Sequence, residues 1–222
     1  MGKLKSNHLW INTLLLIPVL SGTIAVINHD FLFKAGVAAS GILIIAGLHY
    51  FHLIHPKSIL LIILAFLFSI GGDWFLSNRH GRTSMFTSGI VLYFFAHLFY
   101  LFYALANGRI NWRFTSVLLV GFLLFFLLKL YPGIQDKVLM LASLIYLLIS
   151  CFSLGAAMGL ETNSLAKWPY FFGIFLILFS DTLISFKEFI HYKELNFLIL
   201  PTYYLAQVSI VFSVINRIKT RE

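Results

Sequence analysis

The chain has 222 residues, 60% hydrophobic and only 11% charged, with a formal net charge of +8. Globular chains are already about half apolar, and a domain of this size has no interior large enough to hide the excess, so a soluble domain is excluded. The Lys and Arg sit at the ends of apolar runs, as lipid-interface anchors do. No dense basic block or aromatic-interleaved basic patch occurs, so nucleic acid is not an expected partner.

Eight apolar runs have membrane-spanning length. They predict an all-α bundle of eight transmembrane helices at about 9–28, 31–53, 58–77, 84–106, 112–131, 137–159, 168–187 and 196–216. The breaks between them are too short for a soluble domain, so residues 1–222 read as a single transmembrane domain. The first run follows MGKLKSNH and superficially resembles a secretory signal. It is long, contains Pro18 and lacks a clear small-residue cleavage site, which reads as a retained helix. The second run carries His49, His52 and His55, three residues apart on one face. Two of these have the spacing to ligate a metal, but beside Pro56 and Lys57 they read better as interfacial histidines at a helix end. No Cys cluster, H-E-x-x-H, Walker motif or G-x-S-x-G elbow occurs, and no metal or cofactor is expected.

The third run ends in Gly72-Asp73-Trp74-Phe75-Leu76-Ser77, and the fourth contains Tyr93-Phe94-Phe95-Ala96-His97 followed by Tyr100. In the sixth, the single cysteine Cys151 has no partner for an intrachain disulfide and is expected to pack as a small apolar residue. The seventh contains Ser180-Asp181-Thr182-Leu183-Ile184-Ser185, and the eighth Tyr203-Tyr204-Leu205-Ala206-Gln207. Runs three and seven share D-x-x-[LI]-S, and runs four and eight share Y-x-x-A-[HQ]. Four spans per half would make two parallel repeats related by an axis along the membrane normal.

An even number of spans puts both termini on one side. Nine basic residues fall on that side (Lys3, Lys5, Lys57, Arg109, Arg113, Lys167, Arg217, Lys219, Arg221) against seven on the other, which favours cytoplasmic termini. Depth within the membrane follows from a rise of about 1.5 Å per residue. Asp73 and Asp181 each lie roughly 9 Å from the basic residue ending their span, Arg79 and Lys187. Counted from Arg82 and Glu194, Tyr93, Tyr203 and Tyr204 lie roughly 14–17 Å in, with His97 and Gln207 near 20 Å. Four helices thus offer polar groups in one layer, consistent with a cavity open on the side opposite the termini. Each residue also has a plainer reading: Asp73 in headgroup water, Asp181 a neutral packing acid, His97 a packing histidine, the tyrosines an aromatic belt. Charged groups inside a span are costly unless paired, hydrated or neutralised, and their joint occurrence at one depth favours a site.

This ordered set resembles the YhhN/TMEM86 family of integral membrane proteins, whose characterised members are lysoplasmalogenases. The resemblance rests on Gly72-Asp73, on His97 and Tyr100 in the fourth run, on Ser180-Asp181, and on Tyr203-Tyr204 with Ala206-Gln207. One departure is His55-Pro56-Lys57, where the family usually has Lys-Pro entering the third span. The resemblance implies hydrolysis of the vinyl ether bond of lysoplasmalogens to a fatty aldehyde and a glycerophospho-choline or -ethanolamine. It implies an integral location, in a bacterial inner membrane or a eukaryotic endoplasmic reticulum, with lysophospholipid, membrane lipid and water as the partners. Asp73 and Asp181 would be the acid and base. Tyr93, His97, Tyr100, Ser180, Tyr203, Tyr204 and Gln207 would position water or glycerol, and Lys57 is the candidate for the phosphate. Three other readings stay open on the residues alone: a diaspartyl intramembrane protease, a metal-dependent membrane hydrolase using His49, His52 and His97, and a proton-coupled transporter.

Overall fold

The computed structural model describes residues 9–28, 30–51 and 58–217. Among them nine α-helices occur: α1 (Leu9–Thr13), α2 (Leu16–Asn28), α3 (Phe31–Tyr50), α4 (Ile59–Ser77), α5 (Thr83–Leu105), α6 (Trp112–Phe125), α7 (Lys137–Met158), α8 (Ser164–Phe189) and α9 (Asn196–Asn216). They make eight segments long and apolar enough to cross a membrane, and no strand occurs among the described residues. The expected all-α bundle of eight spans is therefore found.

The polar breaks in the sequence act as helix starts. Asp30, Asn111, Asp136 and Asn163 each accept a hydrogen bond from a backbone N–H of the first turn that follows, filling donors that no preceding turn supplies. Asn163 is why the seventh span begins earlier than its hydropathy alone indicates. Its side chain receives Ala166 N–H at 2.7 Å, so Lys167 lies in the first turn and not before it.

Two prolines shape the outer helices. Pro18 cannot donate to the carbonyl of Leu14, and the chain breaks there between α1 and α2, with a tight turn from Ile17 N–H to Leu14 at 3.1 Å. Pro132 likewise has no N–H to donate to Leu128. The fifth span ends in a π-helical segment, Phe126–Leu130, and a 3₁₀ turn, Tyr131–Gly133, which carry the chain past the missing bond. Periodicity had predicted an uninterrupted helix there.

Helix neighbours repeat along the chain. The most extensive contacts are α4 with α5 and α8 with α9, the helix pairs that hold the two D-x-x-[LI]-S and Y-x-x-A-[HQ] motifs. α2–α3–α4 follow one another as α6–α7–α8 do, and α5 packs on α7 as α9 packs on α3. That is the neighbour pattern expected of two parallel four-span repeats. The halves are not equal, because α2 also packs on α9 while α6 has no comparable contact with α5. Cys151 is fully buried and unbonded, as a packing residue should be.

At the end of the bundle that bears the termini, the α5–α6 and α7–α8 connections lock together. Arg109 N–H donates to Gly159 O at 3.2 Å, Glu161 N–H to Asn107 O at 2.9 Å, and the Arg109 side chain to Glu161 at 2.7 Å. A Cβ at Gly159 would stand only 1.7 Å from the Arg109 carbonyl oxygen, so no side chain fits. Gly159→Ala should therefore destabilise the fold by about 1–3 kcal/mol. The check is a lowered thermal midpoint of the purified protein in detergent.

Candidate active site

Asp73 and Asp181 line one cavity of about 410 Å³. Asp73 sits near the end of α4 and Asp181 in the second half of α8. Both come from interior positions, with Asp73 buried and the Asp181 side chain 15% exposed. The cavity's rim carries Arg79, Lys187, Glu188 and Asn196, residues of the end opposite the termini, which is the side expected from depth alone.

Each carboxylate is held by tyrosine. Tyr93 on α5 donates to Asp73 Oδ1 at 2.5 Å, and Tyr203 on α9 lies at 3.3 Å from Oδ2. Gly72 lets the first contact form. A Cβ there would lie 2.8 Å from the Tyr93 ring, so the phenol packs close to the α4 backbone and reaches the next residue. Tyr146 on α7 donates to Asp181 Oδ2. Both tyrosines of α9 line the cavity with Tyr93, and Tyr93 and Tyr203 meet edge to face at 6.4 Å.

His97, Tyr100 and Gln207 are not in the cavity wall. They lie one or two turns further along their helices, buried, in a polar layer next to it. His97 Nε2 stands 3.8 Å from Asp181 Oδ2, within ion-pair range and beyond hydrogen-bond length, and its ring packs edge-on against Tyr146 at 5.3 Å. The ring nitrogens of His97, the Gln207 amide and the Tyr204 hydroxyl are buried with no hydrogen-bond partner among the described residues. Apolar surroundings make such groups costly unless something polar reaches them, so the layer can accept water or a hydroxylated ligand. Tyr100 is a scaffold as well, since its carbonyl receives the Tyr170 hydroxyl at 2.7 Å. Ser180 faces the cavity, but its hydroxyl donates to Ile199 O at 3.0 Å and stitches α8 to α9. Lys57, His52 and His55 lie outside the described residues. Among the described residues no group of three or more His, Cys, Asp and Glu is placed to hold a metal.

Two residues of the site were not anticipated. Tyr146 is nine residues from Lys137, so it lies roughly 14 Å in, the depth already counted for Tyr93 and Tyr203. The same count applied to the sixth span would have found it. Lys34 lines the cavity from the first turn of α3, and a cation one turn inside an apolar helix was the available signal.

A second, apolar pocket lies against the first and shares part of its wall. It is walled by Phe122 and Phe125 of α6, Leu130 of the π-helical segment, Leu147 of α7, and Leu178 and Phe189 of α8. Leu76, Phe86, Tyr93, Asp181 and Ile184 belong to both spaces. One branch is therefore charged, with Lys34, Arg79 and Lys187 against Asp73, Asp181 and Glu188, the other is hydrocarbon-like, and Asp181 belongs to the wall they share.

Fold and site together define a polytopic α-helical membrane protein with a two-carboxylate cavity near one membrane face. A model of the YhhN family matches residues 31–214, most of the chain and all of the residues just described. The chain belongs to the YhhN family. No curated protein and no solved structure gives a match.

Proposed function

We propose that this chain is a lysoplasmalogenase-like hydrolase that cleaves the vinyl ether bond of lysoplasmalogens by acid–base catalysis between Asp73 and Asp181. Membership of the YhhN family supports a hydrolase. The observation that carries the reading is the junction: two carboxylates on separate helices open on one cavity, where a polar branch meets an apolar one. A lysoplasmalogen is built in the same order, with its ether oxygen between a phosphoglycerol head and a hydrocarbon chain.

Vinyl ethers hydrolyse through protonation of the β-carbon. The protonated carboxyl delivers that proton, and the alkene electrons form the new C–H bond as the ether oxygen stabilises the resulting oxocarbenium ion. The ionised carboxylate takes a proton from water as the water oxygen bonds to the cationic carbon. The hemiacetal then gives its O–H proton to the first, now ionised, carboxylate as its C–O bond to the glycerol breaks, the glycerol oxygen takes the proton held by the second, and aldehyde leaves. One water is consumed and the pair recovers its single proton. Two carboxylates lining one cavity suit this task because one can serve as the acid and the other as the base. In this reading Tyr93, Tyr203 and Tyr146 fix the carboxylate planes, Tyr204 orients water in the cavity, and His97 and Gln207 act from the polar layer beside it.

The test is purified protein incubated with 1-alkenyl lysophospholipid. Fatty aldehyde and glycerophospho-alcohol should appear in equal amounts, and the rate should be unchanged by a chelator because neither carboxylate needs a metal. Absence of aldehyde under conditions that keep the protein folded would remove the hydrolase reading. Loss of activity on chelation would replace the carboxylate pair with a metal mechanism.

A further inference from the structure

The cation that meets the substrate's phosphate has no assignment on the cavity side of the membrane, and Lys34 has the right placement for it. It is half-buried on the first turn of α3 and lines the polar branch together with Asp73. No carboxylate among the described residues comes within ion-pair distance of its ammonium. The other cations of the rim differ. Arg79 forms a two-pronged pair with Glu188, both contacts at 2.8 Å, and Lys187 is 3.8 Å from the same carboxylate. The cavity lining holds three cations, Lys34, Arg79 and Lys187, and three carboxylates, Asp73, Asp181 and Glu188. Glu188 engages Arg79 and Lys187, which leaves Lys34 as the cation of the lining with no carboxylate at ion-pair distance among the described residues.

We propose that Lys34, with Lys187 on the rim, binds the phosphodiester of a lysophospholipid, so that the head group sits at the membrane face opposite the termini. The inference rests on the hydrolase reading for the identity of the lipid, though not for the existence of the subsite. From Lys34 the glycerol spans the polar branch, and the chain turns into the apolar branch between α6, α7 and α8. The bond joining them then lies at the junction formed by Tyr93 and Asp181. A half-buried ammonium recognises phosphate through charge-assisted hydrogen bonds, which are stronger than neutral ones.

The experiment compares two non-cleavable ligands: a 1-O-alkyl lysophospholipid and the matching 1-O-alkylglycerol, which lacks phosphate. Equilibrium binding in detergent is measured for the wild type, Lys34→Gln and Lys34→Arg. Loss of the ammonium should weaken the phospholipid roughly tenfold, Lys34→Arg should restore most of it, and the alkylglycerol should bind all three alike. The unchanged alkylglycerol affinity also shows that the variant is folded. Lys187→Gln, at the more exposed rim, should weaken the phospholipid by roughly two- to threefold. Equal weakening of both ligands would make Lys34 a partner of Asp73 only and overturn the proposal, as would no weakening at all. Inorganic phosphate that bound as tightly as the phospholipid would mark a free-anion site and overturn the lipid assignment. Because the ligands are not cleaved, a failure of aldehyde release refutes the reaction without touching this result.

Discussion

Asp73→Asn and Asp181→Asn should each lower the turnover of 1-alkenyl lysophospholipid by about 10²–10⁴-fold, the range a positioned general acid or base supplies. Asn preserves the shape of the side chain and its capacity to accept from tyrosine, so the contacts of Tyr93 and Tyr203 to residue 73 and of Tyr146 to residue 181 can persist. What it removes is the proton. The loss should therefore fall on kcat with KM changed little, since an interaction made only in the transition state has been taken away. The double variant should be scarcely worse than either single one, because acid and base act as a unit and losing either already stops the reaction. Folding is checked by an unchanged elution profile in detergent. Near wild-type turnover in either single variant would return Asp181 to a packing role and leave the cavity without a catalyst.

The spans and the depth of the carboxylates were legible because both follow from hydropathy and rise per residue, which need no tertiary information. The convergence of Asp73, Tyr93, Asp181 and Tyr203 on one cavity was legible for the same reason: helices of one bundle that carry polar groups at one depth must turn them inwards. Two things escaped. The division of the fifth span into α6, a π-helical segment and a 3₁₀ turn depends on how the chain accommodates Pro132 against α8, where a Cβ at Gly133 would lie 2.4 Å from the Phe189 carbonyl oxygen. Periodicity contains nothing of that contact. The other is Lys34 in the cavity wall: the family resemblance offers Lys57, which lies outside the described residues, and gives no reason to look on the first turn of α3.

The tyrosines make the two carboxylates unequal, and this gives the second large effect. Asp73 has two phenols near it, so Tyr203→Phe leaves Tyr93 in place at 2.5 Å. Among the described residues Tyr146 is the one hydroxyl that donates to Asp181, and Phe there leaves a carboxylate oxygen facing Leu147, Leu178 and Phe125 in the apolar branch. A buried polar atom stripped of its partner loses about 1–3 kcal/mol, and here the same hydroxyl also fixes the carboxylate plane at the branch point. Tyr146→Phe should thus reduce kcat by roughly ten- to a hundredfold, and Tyr203→Phe by less than about fivefold. His97→Gln should retain partial activity, because its imidazole stands 3.8 Å from Asp181 without a hydrogen bond. Steady-state kinetics of the three variants under one condition provide the ranking. A Tyr203→Phe loss exceeding that of Tyr146→Phe would mean that Asp73, not Asp181, is the carboxylate whose orientation limits the reaction.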